Sequence, residues 1–160
     1  MAGHSHKGPA EAGVKVISEH RRAHFDYLVE DTVEAGLALL GSEVKSLRQG
    51  EASLNDAYGL PKGKELFLLN AHIGTYKPSG VFAHEPLRAR KVLMHREQLD
   101  RWAAKVRERG YSIIPLMLYF KAGRAKVKLG LCRGKTHEDR RQGIKERETK
   151  REMDRAIRRR

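Results

Sequence analysis

The spacing of apolar residues changes several times along the chain, and each change predicts an element. Across residues 25–40, Tyr27, Val29, Leu37 and Leu39 stand among polar or small residues in an imperfect period of two, which predicts a strand. Gly36 interrupts that pattern and suits a bulge or sharp bend. Residues 42–49 then read as a helix. Ser42 can cap it, Glu43 suits its positive end, Lys45 and Arg48 its negative end, and Gly50 can stop it. Val44 and Leu47, three apart, share one face. Two strands are expected at 53–60 and 65–69, joined by a turn through Pro61-Lys62-Gly63-Lys64. Residues 74–90, rich in Gly, Pro, His and Arg, read as a long loop.

Residues 95–109 form the clearest helix. Leu99, Trp102 and Val106 make a narrow apolar stripe, and Gly110 is a natural stop. Trp102 could stack on a base, but its place in the stripe assigns it to the core. Residues 111–120 and 125–131 suggest a hairpin turning at Gly123-Arg124. Pro115 calls for an edge or a bulge within it. Ile113, Val127 and Leu129 are expected inside, with Lys126 and Lys128 on the opposite face, open to phosphate. No internal repeat is apparent. Several strands with few helices fit a small barrel of the oligonucleotide-binding type, although another antiparallel α+β sheet satisfies the same pattern.

After Gly134 the pattern breaks. Residues 134–160 hold 11 Lys or Arg and six Asp or Glu, with Ile144, Met153 and Ile157 the only large aliphatic residues and no aromatic one. Such a segment cannot build a core. Arg147, Arg151, Arg155 and Arg159 recur every four residues and would form one slowly rotating basic stripe on a helix, suited to a line of phosphates or simply solvated. The tail is expected to be disordered when free and helical when bound to RNA. The organisation that follows is a flexible N-terminus over 1–15, a body over 16–133 and a basic tail over 134–160.

Composition sharpens the reading. The 160 residues carry a net charge of +13, an excess whose commonest partner is nucleic acid. Cys132 is the only cysteine, which excludes an intrachain disulfide and a Cys-rich zinc site and points to reducing cytosol. No apolar run approaches the roughly 20 residues a membrane span needs, and the first 13 residues lack the apolar core of a signal peptide. No cofactor is expected. One minor metal possibility is Ala2-Gly3-His4, which could bind copper or nickel if Met1 is removed. An RNA-processing enzyme using His72, His84 or His95 is a weaker alternative, because nothing in their spacing brings them together.

Four stretches carry a family resemblance: GSEVKSLRQG at 41–50, LNDAY at 54–58, HEPLRARKVLMH at 84–95, and the hairpin from Pro115 that ends LGLCRGK at 129–135. In this order they resemble the SsrA-binding protein family over residues 16–160. The resemblance implies an oligonucleotide-binding barrel with flanking helices and a tail. It also implies, without enzymatic activity, binding to the tRNA-like end of transfer-messenger RNA and its delivery to stalled bacterial ribosomes. The tail would enter the vacant messenger channel and sense the missing mRNA. The implied partners are transfer-messenger RNA, ribosomal RNA of the small-subunit decoding centre and mRNA channel, and the elongation-factor-bound alanyl form of that RNA. Matched positions implied in binding transfer-messenger RNA are Glu34, Tyr58, Leu93 and Lys126. Gly134 matches a hinge, and Asp139, Arg140 and Arg141 match a decoding-centre motif. Ile144, Arg147, Arg151, Met153 and Arg155 complete the expected ribosome-binding set. The pattern departs at three places: Glu138 stands where the family often has an aromatic or His (His137 is one earlier), His20 replaces a common Asn, and Phe25 a common His. Another basic RNA-binding barrel remains the alternative reading.

Overall fold

The computed structural model describes residues 13–76, 84–108, 110–135 and 137–158, the side chains of 137–140 excepted. In chain order its elements are β1 (Val14–Glu19), one helical turn α1 (Ala23–Asp26), β2 (Tyr27–Leu37), α2 (Gly41–Arg48), β3 (Ala52–Ser53), β4 (Tyr58–Lys62), β5 (Glu65–Leu69), β6 (His72–Ile73), β7 (Arg90–Leu93), α3 (Arg96–Arg107), β8 (Tyr111–Lys121), β9 (Arg124–Gly134) and α4 (His137–Arg158). The neighbour order β8-β4-β5-β7-β2-β9 closes into a ring because β9 also pairs with β8, and β1 lies outside the ring against β8. All these pairings are antiparallel. The result is a mainly β barrel of the oligonucleotide-binding type with flanking helices, in keeping with the strand pattern.

Local chemistry explains the ring's irregular points. The β8–β9 register shifts between Pro115 and Met117, so the proline does mark a bulge. On its other edge β8 meets β4 at Ile113 and receives a bond from His20 N at the Leu116 carbonyl. Pro115 thus falls where β8 passes from one partner to the next, which suits a residue without an N–H. The β8–β9 turn sits one residue earlier than expected, at Ala122-Gly123, both with positive φ (50° and 75°). Two positive angles match the twist of a two-residue hairpin turn.

Other expectations need correcting in the same way. Gly36 is no bulge: it pairs with both Leu93 and Lys126, while the shift in β2 lies between Val29 and Asp31. A Cβ on Gly36 would meet the Leu93 side chain at 3.4 Å, an ordinary contact, so Leu93 packs directly over this glycine. α2 begins at Gly41, and its first turn is closed by Glu43 accepting from Leu40 N at 2.9 Å rather than by a Ser42 cap. The turn after β4 is Gly63-Lys64, with Pro61 and Lys62 inside the strand. β7 falls just where the expected loop ends, because its four residues RKVL show only two inward positions, Arg90 and Val92, and one of those is charged.

The core fills the barrel from alternate strand positions. Leu66, Leu68, Val92, Ile113, Leu118, Val127 and Leu129 are buried there with Leu47 of α2 and Leu99 and Trp102 of α3. Burying each large apolar side chain contributes roughly 1.5–3 kcal/mol. Trp102 is a core residue, and its indole N–H donates to Asp31 Oδ2 at 3.0 Å. α4 differs sharply. Ile144, Met153 and Ile157 on it are exposed. It meets the body at α1, where the Arg147 guanidinium lies 5.1 Å from the centre of the Phe25 ring.

Candidate nucleic-acid interface

Strand register brings three of the four expected RNA-binding residues to one outer cleft. Leu93 on β7 lies opposite Gly36 on β2, and Gly36 lies opposite Lys126 on β9. Glu34, two residues before Gly36, shares its face and faces Lys128. The cleft is lined by Glu34, Leu93 and Lys126 together with Lys64, His95 and Lys91, which is ion-paired with Glu65 at 3.1 Å. Leu93 is 53% exposed, so it belongs to this surface rather than to the supporting core. Tyr58 does not line the cleft; it stands on the outer face of β4, opposite Leu69 of β5.

Glu34 is an organiser within this positive surface. Tyr119 donates its hydroxyl to the carboxylate, and Lys121 Nζ lies 3.5 Å away. The Tyr119 hydrogen bond, aided by Lys121 and Lys126 against a desolvation that acts the other way, holds the carboxyl below its ordinary value. An acid among phosphate-binding cations would orient an arginine or accept from a base or ribose; within the protein the partners of Glu34 are a tyrosine and a lysine. Tyr119 and Lys121 escape a reading of the sequence, although the hairpin register places Tyr119 opposite Lys126.

Two of the resembling stretches meet in a buried junction on the other side of β7. Glu43, fully buried, accepts from Arg88 Nη2 at 2.6 Å and from Arg90 Nε. Arg90, also fully buried, donates to the carbonyls of Ala71 at 2.6 Å and Pro86 at 3.1 Å. His84 joins the Ser42 hydroxyl at 2.9 Å to the Ile73 carbonyl at 3.0 Å. Ile73 O can only accept, so His84 Nε2 donates to it and Nδ1 is the nitrogen that meets the Ser42 hydroxyl. These polar residues tie the segments around 71–74 and 84–90 to α2 and thereby set the start of β7. They act on the cleft through position, not contact. His72 is exposed on β6 and His95 stands at the N-cap position of α3 without a side-chain cap bond, while His84 is bonded to Ser42 and Ile73 O.

The tail set falls on one helix. Arg141, Ile144, Arg151, Met153 and Arg155 are exposed on α4. Arg147 is engaged locally, with Phe25 and with the Gly143 carbonyl at 3.1 Å. Asp139 and Arg140 lie on the helix backbone, but their side chains, like those of His137 and Glu138, are outside the described residues, as are Ala2, Gly3 and His4. Gly134 ends β9 opposite Tyr27, with open space where a side chain would go. Lys135 follows it, bonding Asp26 O through its N–H at 3.1 Å and His24 O through Nζ at 2.7 Å. Among the described residues no group of His, Cys, Asp or Glu is placed to hold a metal, and no helix is long and apolar enough to cross a membrane.

The ring of strands, its lysine-lined cleft and the charged helical extension define a small barrel protein of the oligonucleotide-binding type. Residues 17–159 match the family model described as SmpB protein. The chain is 74% identical to the SsrA-binding protein of Myxococcus xanthus over 94% of its own length and 93% of the relative's, and 59% identical to that of an Anaeromyxobacter species over 96% and 93%. A solved chain described as "tmRNA-SmpB: a journey to the center of the bacterial ribosome" aligns with a TM-score of 0.65 at 40% identity, covering 83% of this chain and 95% of the other. The chain belongs to the SmpB family.

Proposed function

We propose that this protein binds the tRNA-like end of transfer-messenger RNA and delivers it to stalled bacterial ribosomes for trans-translation in the cytoplasm. The observation that carries the reading is the cleft that gathers Glu34, Leu93 and Lys126 on one basic face of a barrel in this family. Lys126 meets phosphate, Leu93 gives an apolar contact, and Glu34 orients Tyr119 and Lys121 toward the RNA. Tyr58 adds a contact from the neighbouring hairpin. The protein supplies geometry and charge, and peptide transfer belongs to the ribosome. Its partners are transfer-messenger RNA in its alanyl, elongation-factor-bound form and the ribosomal RNA of the decoding centre and mRNA channel.

The division of labour assigns RNA recognition to residues 16–133 and ribosome sensing to 134–160; of the segment 1–15 expected to be flexible, Val14 and Lys15 instead belong to β1. Gly134 serves as the hinge. Arg140 and Arg141 bind ribosomal RNA with Asp139 setting their geometry, and Ile144, Arg147, Arg151, Met153 and Arg155 support the bound helix. In the free protein the tail opens readily, because little apolar surface holds it to the body. Entry into an empty messenger channel then orders it, with counterion release offsetting the lost chain entropy.

A chain ending at Lys135 tests this. It should bind transfer-messenger RNA nearly as well as the full protein, and prefer it over ordinary tRNA, yet fail to support tagging on stalled ribosomes. Loss of RNA binding would reject the division of labour, and full tagging would reject the tail's role.

A further inference from the structure

The outer face of the β4–β5 hairpin is apolar where a solvent-facing strand ordinarily alternates to polar residues. Tyr58 lies directly opposite Leu69, and Leu60 opposite Phe67. The inner face of the same strands is already filled by Gly59, Leu66 and Leu68, all buried. Tyr58 and Leu60 are nevertheless 39% and 43% exposed, and Phe67 and Leu69 are half-buried beside them. Four apolar side chains thus form a continuous patch that the core does not require.

Its surroundings indicate what covers it. Phe67 is the register partner of Lys91 on β7, whose outward neighbour Leu93 lines the lysine-rich cleft. Lys62 and Lys64 flank Gly63 at the hairpin turn, exposed, and Glu65, opposite Lys62, is ion-paired with Lys91 at 3.1 Å, which leaves Lys62 and Lys64 as the net positive charge at this end. A protein partner could use the apolar patch, but the net positive rim of Lys62 and Lys64, continuous with the cleft that holds Lys126, is complementary to a polyanion. Flat aromatic and aliphatic surfaces beside cations accept the faces of nucleobases whatever their sequence. Such faces are available only where bases are unpaired, because a duplex hides them in its stack.

We propose that the β4–β5 hairpin is a stacking shelf for unpaired bases of the RNA held in the neighbouring cleft, with Lys62 and Lys64 meeting the adjoining phosphates. It rests on the functional reading above only for the identity of the ligand as RNA. Leu60 and Phe67 form the shelf's centre, and Tyr58 and Leu69 its outer end.

Binding of the full chain to a short unstructured RNA carrying 2-aminopurine, and to a blunt duplex of the same length, tests the shelf. The single strand should bind more tightly and its fluorescence should be quenched. The double variant Leu60→Ala/Phe67→Ala should lose about tenfold in affinity and the quenching, with little change in salt dependence. Phe67→Trp alone should retain both, which separates stacking from damage to the fold. Equal binding of duplex and single strand, or an alanine variant that binds and quenches like the parent, overturns the proposal. So does a dimer in sedimentation that Leu60→Ala disperses, since the face would then belong to a second copy. Failure of the intact chain to bind transfer-messenger RNA, with Lys126→Ala changing nothing, would instead sink the functional reading and the shelf with it.

Discussion

Glu43 shows how a residue chosen by local rules can carry a different load. Helix rules place it near the start of α2, where an acid suits the positive end, and it does bond Leu40 N there. Its larger part is to neutralise Arg90 in a dry interior. Burial pushes its carboxyl up, but hydrogen bonds from Arg88, Leu40 N and Arg90 outweigh it and hold the group below its ordinary 4.5. Burial acts on Arg90 in the opposite sense, pulling it down, while Glu43 holds it up. Because the folded carboxyl is depressed, its stabilisation is present above the ordinary value and lost as pH falls through the folded one. Glu43→Gln should therefore cost about 3–5 kcal/mol at neutral pH by leaving Arg90 buried without its partner charge. Urea titrations below pH 4.5 should show a flatter loss of stability in the variant than in the parent. Cys132 offers a second residue-scale test. Burial, with the charge of Glu30 adding, pushes its thiol up to about 12. It should resist alkylation at pH 8 in the folded protein and react fully in denaturant, as mass spectrometry would record.

At the level of elements, one glycine and one alanine decide geometry. Gly59 is the one register pair between β4 and β8, and a side chain there would sit 2.7 Å from Ile113 Cγ2. Gly59→Ala should destabilise by about 1–3 kcal/mol, and Ile113→Ala should recover part of that loss in a double-mutant cycle, since it removes the clashing atoms. Ala122 adopts a left-handed conformation that costs an L residue roughly 1 kcal/mol. Ala122→Gly should accordingly raise the urea midpoint slightly, by about 0.5 kcal/mol in stability. The elements legible in the sequence are those with a clear period or punctuation: α2, α3, β5 and the β8–β9 hairpin with its proline bulge. β7 is not legible, because a buried arginine reads as a solvent position. β1 is equally hidden, since the charge on Lys15 and Glu19 obscures its pairing with β8. Of the candidate site, Glu34, Leu93 and Lys126 are named through the family resemblance, but their convergence depends on β7 lying beside β2. Tyr119 looks like part of an apolar strand until the register sets it against Lys126.

The whole molecule is held by a compact barrel and extended by a charge-dominated helix, and salt should separate the two. Every lysine or arginine withdrawn from a phosphate should lower the slope of log affinity against log salt by about one. Lys126→Ala is expected to do so for transfer-messenger RNA, whereas removing residues 136–160 should leave that slope nearly unchanged and flatten the one for ribosomes. Filter binding across a salt series would read both. A truncated chain with a strongly reduced slope for the free RNA would place the tail in the wrong complex.

The continuity of α4 from His137 to Arg158 also makes angular phase a property of the tail. Each helical residue turns the following side chains by about 100° and advances them about 1.5 Å, so whatever anchors the helix before Thr149 sets the direction in which Arg151 and Arg155 point. Inserting two alanines after Thr149 would swing those arginines to the far side while leaving length, charge and composition almost intact. Inserting seven would return them to nearly the same heading about 10 Å further along. Tagging that fails with two and recovers with seven would mark the tail as an oriented blade, and equal activity in both would mark it as a tether.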